Sequence, residues 1–124
     1  TAWVSDANNN RVSVWTRSDT DSDEWWNPTT FGTLGSGPAH LKYPLGLAVS
    51  PDGLKVWVVD GQNKRVSIWT RANATSIAWA PQTTISSPAL YSGDIALTPD
   101  QLTALTTHGD SGNNISVWTI PCPG

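Results

Sequence analysis

A phrase of six residues occurs twice in this chain and returns once more in a weaker form. The copies read VSVWTR, VSIWTR and ISVWT, and they begin at Val12, Val66 and Ile115. A period of about 50 residues with strand-like copies is typical of propellers and other β arrays. The flanking residues repeat as well, since DANNNR directly precedes the first copy as DGQNKR does the second. The repeat is therefore a whole structural unit.

Composition favours one folded, β-rich domain. The chain has 124 residues, of which 38% are hydrophobic and 14% charged, and eight are Trp, which is far more apolar surface than a disordered chain carries. A net charge of -3 with scattered basic residues excludes the electrostatic footprint of a nucleic-acid-binding protein. No apolar run reaches the length of a membrane span. Few Lys and many Ser, Thr and Asn predict an extracellular protein, secreted or at the cell surface, with neither nucleic acid nor membrane as partner.

The middle unit reads as four strands, named a to d in chain order and predicted over residues 45–50, 55–60, 65–70 and 77–85. Strand a ends at a turn in which Pro51 presets the backbone and Gly53 supplies a positive φ. Strands b and c are rich in β-branched and aromatic residues, and the loop between them is typical of a hairpin. Pro81 interrupts strand d, which an edge strand tolerates.

The same template predicts incomplete units on either side. The first supplies strands b, c and d over residues 2–6, 11–17 and 25–31; the last supplies a, b and c over residues 94–98, 102–107 and 114–120. We therefore predict an all-β chain of β-propeller blades, each a four-stranded antiparallel sheet. Residues 1–124 form one segment, divided into a partial blade (1–35), a complete blade (43–86), a partial blade (92–120) and a tail (121–124). Such a segment is incomplete as a single chain, because a closed ring needs about four blades.

The residues of the middle unit resemble the NHL repeat. The resemblance rests on PLGLAVSPDG at 44–53, VWVVD at 56–60 and NKRVSIW at 63–69, together with the Gly-rich connector FGTLGSGPAHL at 31–41. It covers nearly the whole chain and weakens in the last unit. The resemblance implies a six-bladed or similar propeller. It implies no single function, since such propellers are protein-, RNA- and sugar-binding scaffolds and occasionally lyases.

Seven Trp residues fall at equivalent repeat positions, which predicts that they form a structural core between blades. They are Trp15, Trp69 and Trp118 in strand c, Trp3 and Trp57 in strand b, and Trp26 and Trp79 in strand d. Trp25 has no counterpart and follows the acidic stretch DSDE. We predict that Trp25 is exposed and is a candidate contact for a sugar or a protein ligand.

Asp6 and Asp60 lie in equivalent b–c loops beside Asn residues, and Arg11 and Arg65 follow them. Carboxylate and amide oxygens could hold Ca²⁺, but Asp and Asn also bond to their own loop backbone. We predict that these Asp and Arg residues stabilise the turns.

Residues for catalysis are sparse. Lyases of the resembled fold hold zinc through several His residues, whereas His40 and His108 lie in non-equivalent connectors. We therefore predict no metal site, no cofactor, no catalytic residue and no enzymatic activity. Cys122 has no partner within the chain, so it is either an inert thiol or half of a disulfide with another segment.

The functional prediction rests mainly on the open edges of the incomplete blades. A first strand without its inner partner and a last strand without its outer one expose backbone groups that another chain can satisfy. We predict a non-enzymatic extracellular scaffold that self-associates or assembles head to tail, into an oligomer or a filament. Its partners are copies of itself or the missing part of a larger propeller. The alternatives are a carbohydrate- or protein-binding propeller module and a fragment of a larger propeller protein.

Overall fold

The computed structural model describes residues 1–17, 24–86, 93–107 and 115–119. These residues contain twelve strands: β1 Ala2–Asp6, β2 Arg11–Thr16, β3 Trp26–Phe31, β4 Thr33–Leu34, β5 His40–Leu41, β6 Pro44–Val49, β7 Lys55–Asp60, β8 Arg65–Thr70, β9 Ala80–Ser86, β10 Ile95–Leu97, β11 Thr103–Thr107 and β12 Ile115–Thr119. Two 3₁₀ turns, Ala7–Asn9 and Gly61–Asn63, join β1 to β2 and β7 to β8. No helix in the described ranges is long and apolar enough to cross a membrane.

Three antiparallel sheets account for ten of these strands. The first sheet has the order β1-β2-β3, the second β6-β7-β8-β9 and the third β10-β11-β12. Each is a meander in which sequential strands are neighbours, as in a propeller blade. The prediction of an all-β fold with propeller-like blades is confirmed, and the described residues do not close into a ring.

The second sheet lies between the other two and is buried on both faces. Val56 and Val58 of β7 join a core with the first sheet, while Trp57 and Val59 join a core with the third. All four side chains are almost fully buried. Successive side chains of a strand point to opposite faces, so an unbroken apolar run in β7 is what a strand between two packed sheets requires.

The predicted turn after β6 forms as expected. The Asp52 carboxylate accepts hydrogen bonds from the Ser50 hydroxyl (2.6 Å) and the Leu54 amide (2.9 Å), and Gly53 has φ of +73°. The bond from Ser50, followed by that from Leu54, lowers the pKa of Asp52.

The turn after β10 repeats this bonding. Asp100 accepts from the Thr98 hydroxyl (2.6 Å) and the Leu102 amide (3.0 Å), and the same bonds lower its pKa. Gln101 takes the place of the glycine at φ of +62°. A side chain at that conformation is strained, yet the local hydrogen bonds hold the turn.

Strand bounds differ from the predictions mainly at strand ends. β9 begins at Ala80, three residues later than predicted, and Pro81 lies within it opposite Trp69, where the register shifts. β9 is an outer strand, and a proline there need not remove a hydrogen bond from the sheet. The parallel pair β4–β5 inside the Gly-rich connector was not predicted, because two-residue strands carry no periodicity. The boundaries at 1–35, 43–86 and 92–120 stay predictions, and the tail 121–124 lies outside the described residues.

Candidate functional site

The loop between β7 and β8 holds the connector that leads into its own blade. Arg65 donates through Nε to the fully buried carboxylate of Asp60 (2.8 Å). Its Nη1 donates to the Ser36 carbonyl (3.0 Å) and its Nη2 to the carbonyls of Gly37 (2.8 Å) and His40 (2.8 Å). Every nitrogen of the guanidinium is therefore engaged within the protein. Arg65 therefore holds the connector against the loop between β7 and β8.

Asn63 and the second oxygen of Asp60 complete this arrangement. The Asn63 amide donates to the Gly35 carbonyl (2.8 Å) and to Asp60 Oδ2 (2.9 Å). The Lys42 amide donates to Asp60 Oδ1 (2.6 Å). We call Asp60, Asn63 and Arg65 the second clamp. It supplies hydrogen-bond donors to four backbone carbonyls of the connector, which β4 and β5 pair over only two residues each.

The same three residue types recur in the first blade as Asp6, Asn9 and Arg11, which we call the first clamp. Arg11 Nε donates to Asp6 Oδ2 (2.9 Å), and the Asn9 amide donates to both Asp6 oxygens (3.1 Å each). The bond from Arg11, followed by that from Asn9, lowers the pKa of Asp6. The Arg11 side chain is 44% exposed, against 11% for Arg65. Neither terminal nitrogen of Arg11 bonds to a residue in the described part of the chain.

The predicted turn residues thus come together in pairs, Asp6 with Arg11 and Asp60 with Arg65, without enclosing a metal-like site. Across residues 1–17, 24–86, 93–107 and 115–119, no group of three or more His, Cys, Asp or Glu side chains could hold a metal ion. His40 Nδ1 accepts a hydrogen bond from the Gly37 amide (3.1 Å) inside the connector. The predictions for His108 and Cys122 fall outside the described residues.

Four of the seven repeat Trp side chains take part in the two cores. Trp69 is 2% exposed and its ring centroid lies 4.7 Å from that of Phe31, which in turn lies 5.3 Å from Trp79. Trp57 is 1% exposed in the core between the second and third sheets, and Trp3 packs against the other core. Nothing is described of the Trp26 and Trp118 side chains.

Trp25 is 42% exposed. The guanidinium carbon of Arg17 lies 5.0 Å from its ring centroid, which is a cation–π distance. One face of the ring is thus covered by a cation from the same chain. Its role as a ligand contact stays a prediction.

The outer face of the first sheet is only partly covered. Val4 of β1 is 49% exposed and lies opposite Ser13 of β2, beside the pair Ala2 and Trp15. Trp15 is half-buried, although Trp69 at the equivalent position is packed between sheets. We call Val4 and Trp15 the first end face.

The outer face of the third sheet is apolar and more exposed. Leu105 of β11 is 37% exposed and pairs with Val117 of β12, which is 65% exposed; Ile115 is 64% exposed. The alternate residue Ala104 points into the core shared with the second sheet. We call Leu105, Ile115 and Val117 the last end face. An apolar surface of this kind on a sheet marks a place where another element packs.

A cavity of about 370 Å³ lies between the connector and β9. It is lined by Ser36, Pro38, Arg65 and residues 81–84. Arg65 is the single charged residue among these, and its hydrogen bonds are all made inside the protein. The rest of the lining offers a ligand hydroxyl, amide and apolar contacts.

Solved structures show what the architecture is similar to. A functionally unknown protein from Desulfotomaculum acetoxidans superposes with a TM-score of 0.68 at 15% identity, over 96% of this chain and 33% of its own. A "putative 6-phosphogluconolactonase" from Bacteroides uniformis superposes with a TM-score of 0.69 at 16% identity, over 98% of this chain and 34% of its own. The chain thus spans about a third of each. Neither a protein-family model nor a curated protein matches the sequence.

These similarities establish a β-propeller-like fold and leave the NHL resemblance as a prediction. They also correct one expectation. The prediction that the chain is not an enzyme is wrong as made, because a protein on which the chain superposes is described as a "putative 6-phosphogluconolactonase". Few His residues argue against one kind of zinc lyase and leave other chemistries of the fold open.

Proposed function

We propose that this chain is a segment of an NHL-type β-propeller that works as part of a larger assembly, and that copies of it associate head to tail through their end faces. The observation that carries the proposal is the contrast between Trp69 and Trp15. Trp69 is packed against the preceding blade at Phe31, whereas Trp15 takes the same place in the repeat on a face that no described element covers.

The packing inside the chain supports one direction of assembly. The face of the second sheet that carries Trp57 packs against the third sheet, at Ile95 and Ala104. The face of the first sheet that carries Trp3 packs in the same sense against the second sheet. In each contact inside the chain, the sheet face that carries the tryptophan of strand b packs against the next blade. The next blade contributes the face that does not carry its own strand b tryptophan. The last end face continues this order, because Leu105 takes the strand b place of Trp57.

A contact between two copies that follows this order joins the last end face of one copy to the first end face of another. The two patches differ in sequence, so the contact is heterologous and either closes a ring or propagates. Full burial of an aliphatic side chain contributes about 1.5–3 kcal/mol. Val4, Leu105, Ile115 and Val117 are 37–65% exposed, so the burial of what remains exposed on each contributes part of that amount to such a contact.

Complementary single-face variants test the proposal. We expect sedimentation velocity of the wild-type chain at micromolar concentrations to show oligomers, and Val4→Asp and Val117→Asp each to reduce it to a monomer. An equimolar mixture of the two variants should form a dimer and nothing larger, since it contains one intact pair of faces. Ile77→Asp is the matched control, because Ile77 is 72% exposed and lies on neither face.

The result that overturns self-association is a wild-type chain that stays monomeric at every concentration, or variants that sediment like the wild type. A monomer would favour completion by further blades of the same polypeptide. Intact mass of the protein isolated from its source would then show whether residues 1–124 belong to a longer chain. An extracellular location belongs to the same proposal and is tested by fractionation of source cells.

Ligand recognition at Trp25 is a second candidate function. The exposed indole, with the Arg17 guanidinium stacked on one face of it, offers an apolar aromatic surface that suits a sugar ring or a protein ligand. A glycan array should show binding that Trp25→Ala abolishes and Trp25→Phe keeps in part. Binding that survives Trp25→Ala removes this candidate.

A further inference from the structure

We infer that the first clamp, Asp6, Asn9 and Arg11, is a docking site for a Gly/Pro-rich peptide loop that presents backbone carbonyls. The inference goes beyond the proposed function and does not require that copies associate, because the loop held by the second clamp is the connector that leads into the same blade. It starts from the second clamp, in which the same residue types at the same spacing hold such a loop. In both clamps Asn follows Asp by three residues and Arg follows Asp by five.

The first clamp is already set in its binding geometry. Arg11 Nε lies 2.9 Å from Asp6 Oδ2, and the corresponding distance from Arg65 to Asp60 is 2.8 Å. The carboxylate thus orients both guanidinium groups in the same way and aims their terminal nitrogens outward. A preorganised group loses little freedom on binding.

The two clamps differ in what lies in front of them. The terminal nitrogens of Arg65 donate hydrogen bonds to three connector carbonyls. Those of Arg11 have no partner among the described residues. Asp60 Oδ1 accepts the Lys42 amide, whereas Asp6 Oδ1 accepts the Asn9 side chain and no backbone amide of the described ranges. The open donors and the open acceptor position match a turn of peptide backbone.

The charge of the first clamp excludes a free anion as its natural occupant. Asp6 neutralises Arg11 at a distance of 2.9 Å, so a phosphate or carboxylate ligand would meet a carboxylate as well as a guanidinium. A neutral carbonyl group meets no such repulsion and still gains charge-assisted hydrogen bonds.

The connector that the second clamp holds indicates which peptide fits. A Cβ atom at Gly35 would lie 2.7 Å from the His40 ring, and one at Gly37 would lie 2.5 Å from it. Both positions therefore need glycine for the loop to close over His40 and turn its carbonyls toward Arg65. The occupant is therefore a Gly/Pro-rich loop of this chemistry in another polypeptide segment, since residues 35–40 of a second copy are already held by that copy's Arg65.

A peptide with the sequence of residues 31–43, FGTLGSGPAHLKY, tests the inference on the full chain. Titration of isotope-labelled protein should shift the Arg11 Nε–H and Asn9 side-chain signals in a saturable way and leave the Arg65 Nε–H signal in place. Arg11→Lys keeps the charge but loses the planar fork, so it should weaken binding about ten-fold or more. Lys64→Arg, an exposed charge-conserving substitution in the equivalent loop of the second blade, is the control and should bind like the wild type.

A second peptide checks the shape requirement. FGTLVSVPAHLKY replaces both glycines with valine and should cause no saturable shift. The inference is overturned if this peptide binds equally well, if Arg11→Lys binds like the wild type, or if the first peptide causes no saturable shift at millimolar concentration. Retained tryptophan fluorescence of Arg11→Lys shows that it is folded.

The titration is repeated on the Val4→Asp variant, whose clamp is intact. Peptide binding by that variant supports docking even where self-association fails. Head-to-tail association of the wild type without peptide binding overturns docking alone.

Discussion

Trp69 joins two blades, and its removal tests the architecture at the scale of one residue. Trp69→Ala leaves a cavity against Phe31 and Trp79 and should cost about 3–5 kcal/mol of unfolding free energy. Trp25→Ala removes an exposed ring and its stacking with Arg17, worth about 0.5–1 kcal/mol. Urea melts of both variants measure the difference. A larger loss at Trp25 would mean that inside and outside are inverted.

Two turn carboxylates give the chain an acid-sensitive stability. The pKa values of Asp52 and Asp100 in the folded chain lie below the ordinary value of 3.8, because a hydroxyl and an amide donate to each carboxylate. A folded-state pKa below that of the unfolded chain contributes stability above the unfolded pKa, which is lost as the pH falls through the folded one.

We therefore expect the thermal midpoint of the wild type to fall as the pH drops below about 4. Asp52→Asn and Asp100→Asn keep an oxygen acceptor for the turn but cannot titrate. Each should flatten the profile, and the double variant should flatten it further. Thermal melts from neutral pH to about pH 2.5 check this, and an unchanged profile in the double variant would refute it.

At the scale of elements, the two clamps should differ in their cost to stability. Arg65→Met leaves Asp60 buried without its partner and frees three connector carbonyls, which should cost about 3–5 kcal/mol. Arg11→Met breaks an exposed pair and should cost about 0–1 kcal/mol. Urea melts distinguish the two, and equal losses would contradict the view that the connector makes the second clamp structural.

At the scale of the whole molecule, Gly46 sets how closely the second and third sheets approach. A Cβ at Gly46 would lie 2.5 Å from the Asp94 Cα and 2.9 Å from the Gly93 carbonyl oxygen, to which the Gly46 amide donates (3.1 Å). Gly46→Ala should push the sheets apart and cost about 1–3 kcal/mol.

Hydrogen exchange locates that effect. Amides of β10 and β11 should lose protection in Gly46→Ala, while those of β7 and β8, which pair within the second sheet, should keep it. Uniform loss across both sheets would show that the substitution acts on the second sheet itself.

The strands of the middle blade followed from the sequence because their causes are local. β7 and β8 were predicted to the residue, since β-branched alternation and turn residues act over a few positions. Repetition then placed Trp57 and Trp69 at interior positions without any knowledge of the packing. Trp15 shows the limit of that argument, because an equivalent position is buried only where another blade lies against it.

What only the tertiary structure decided is the function of the repeated Asp–Asn–Arg pattern. The sequence alone determined the spacing within each clamp, and from it both copies were predicted to stabilise turns. The atoms that distinguish them are backbone carbonyls at Ser36, Gly37 and His40, which lie 29, 28 and 25 positions from Arg65. Carbonyl groups are identical at every residue, so no side-chain pattern records which of them will meet a guanidinium until the connector has folded across the blade.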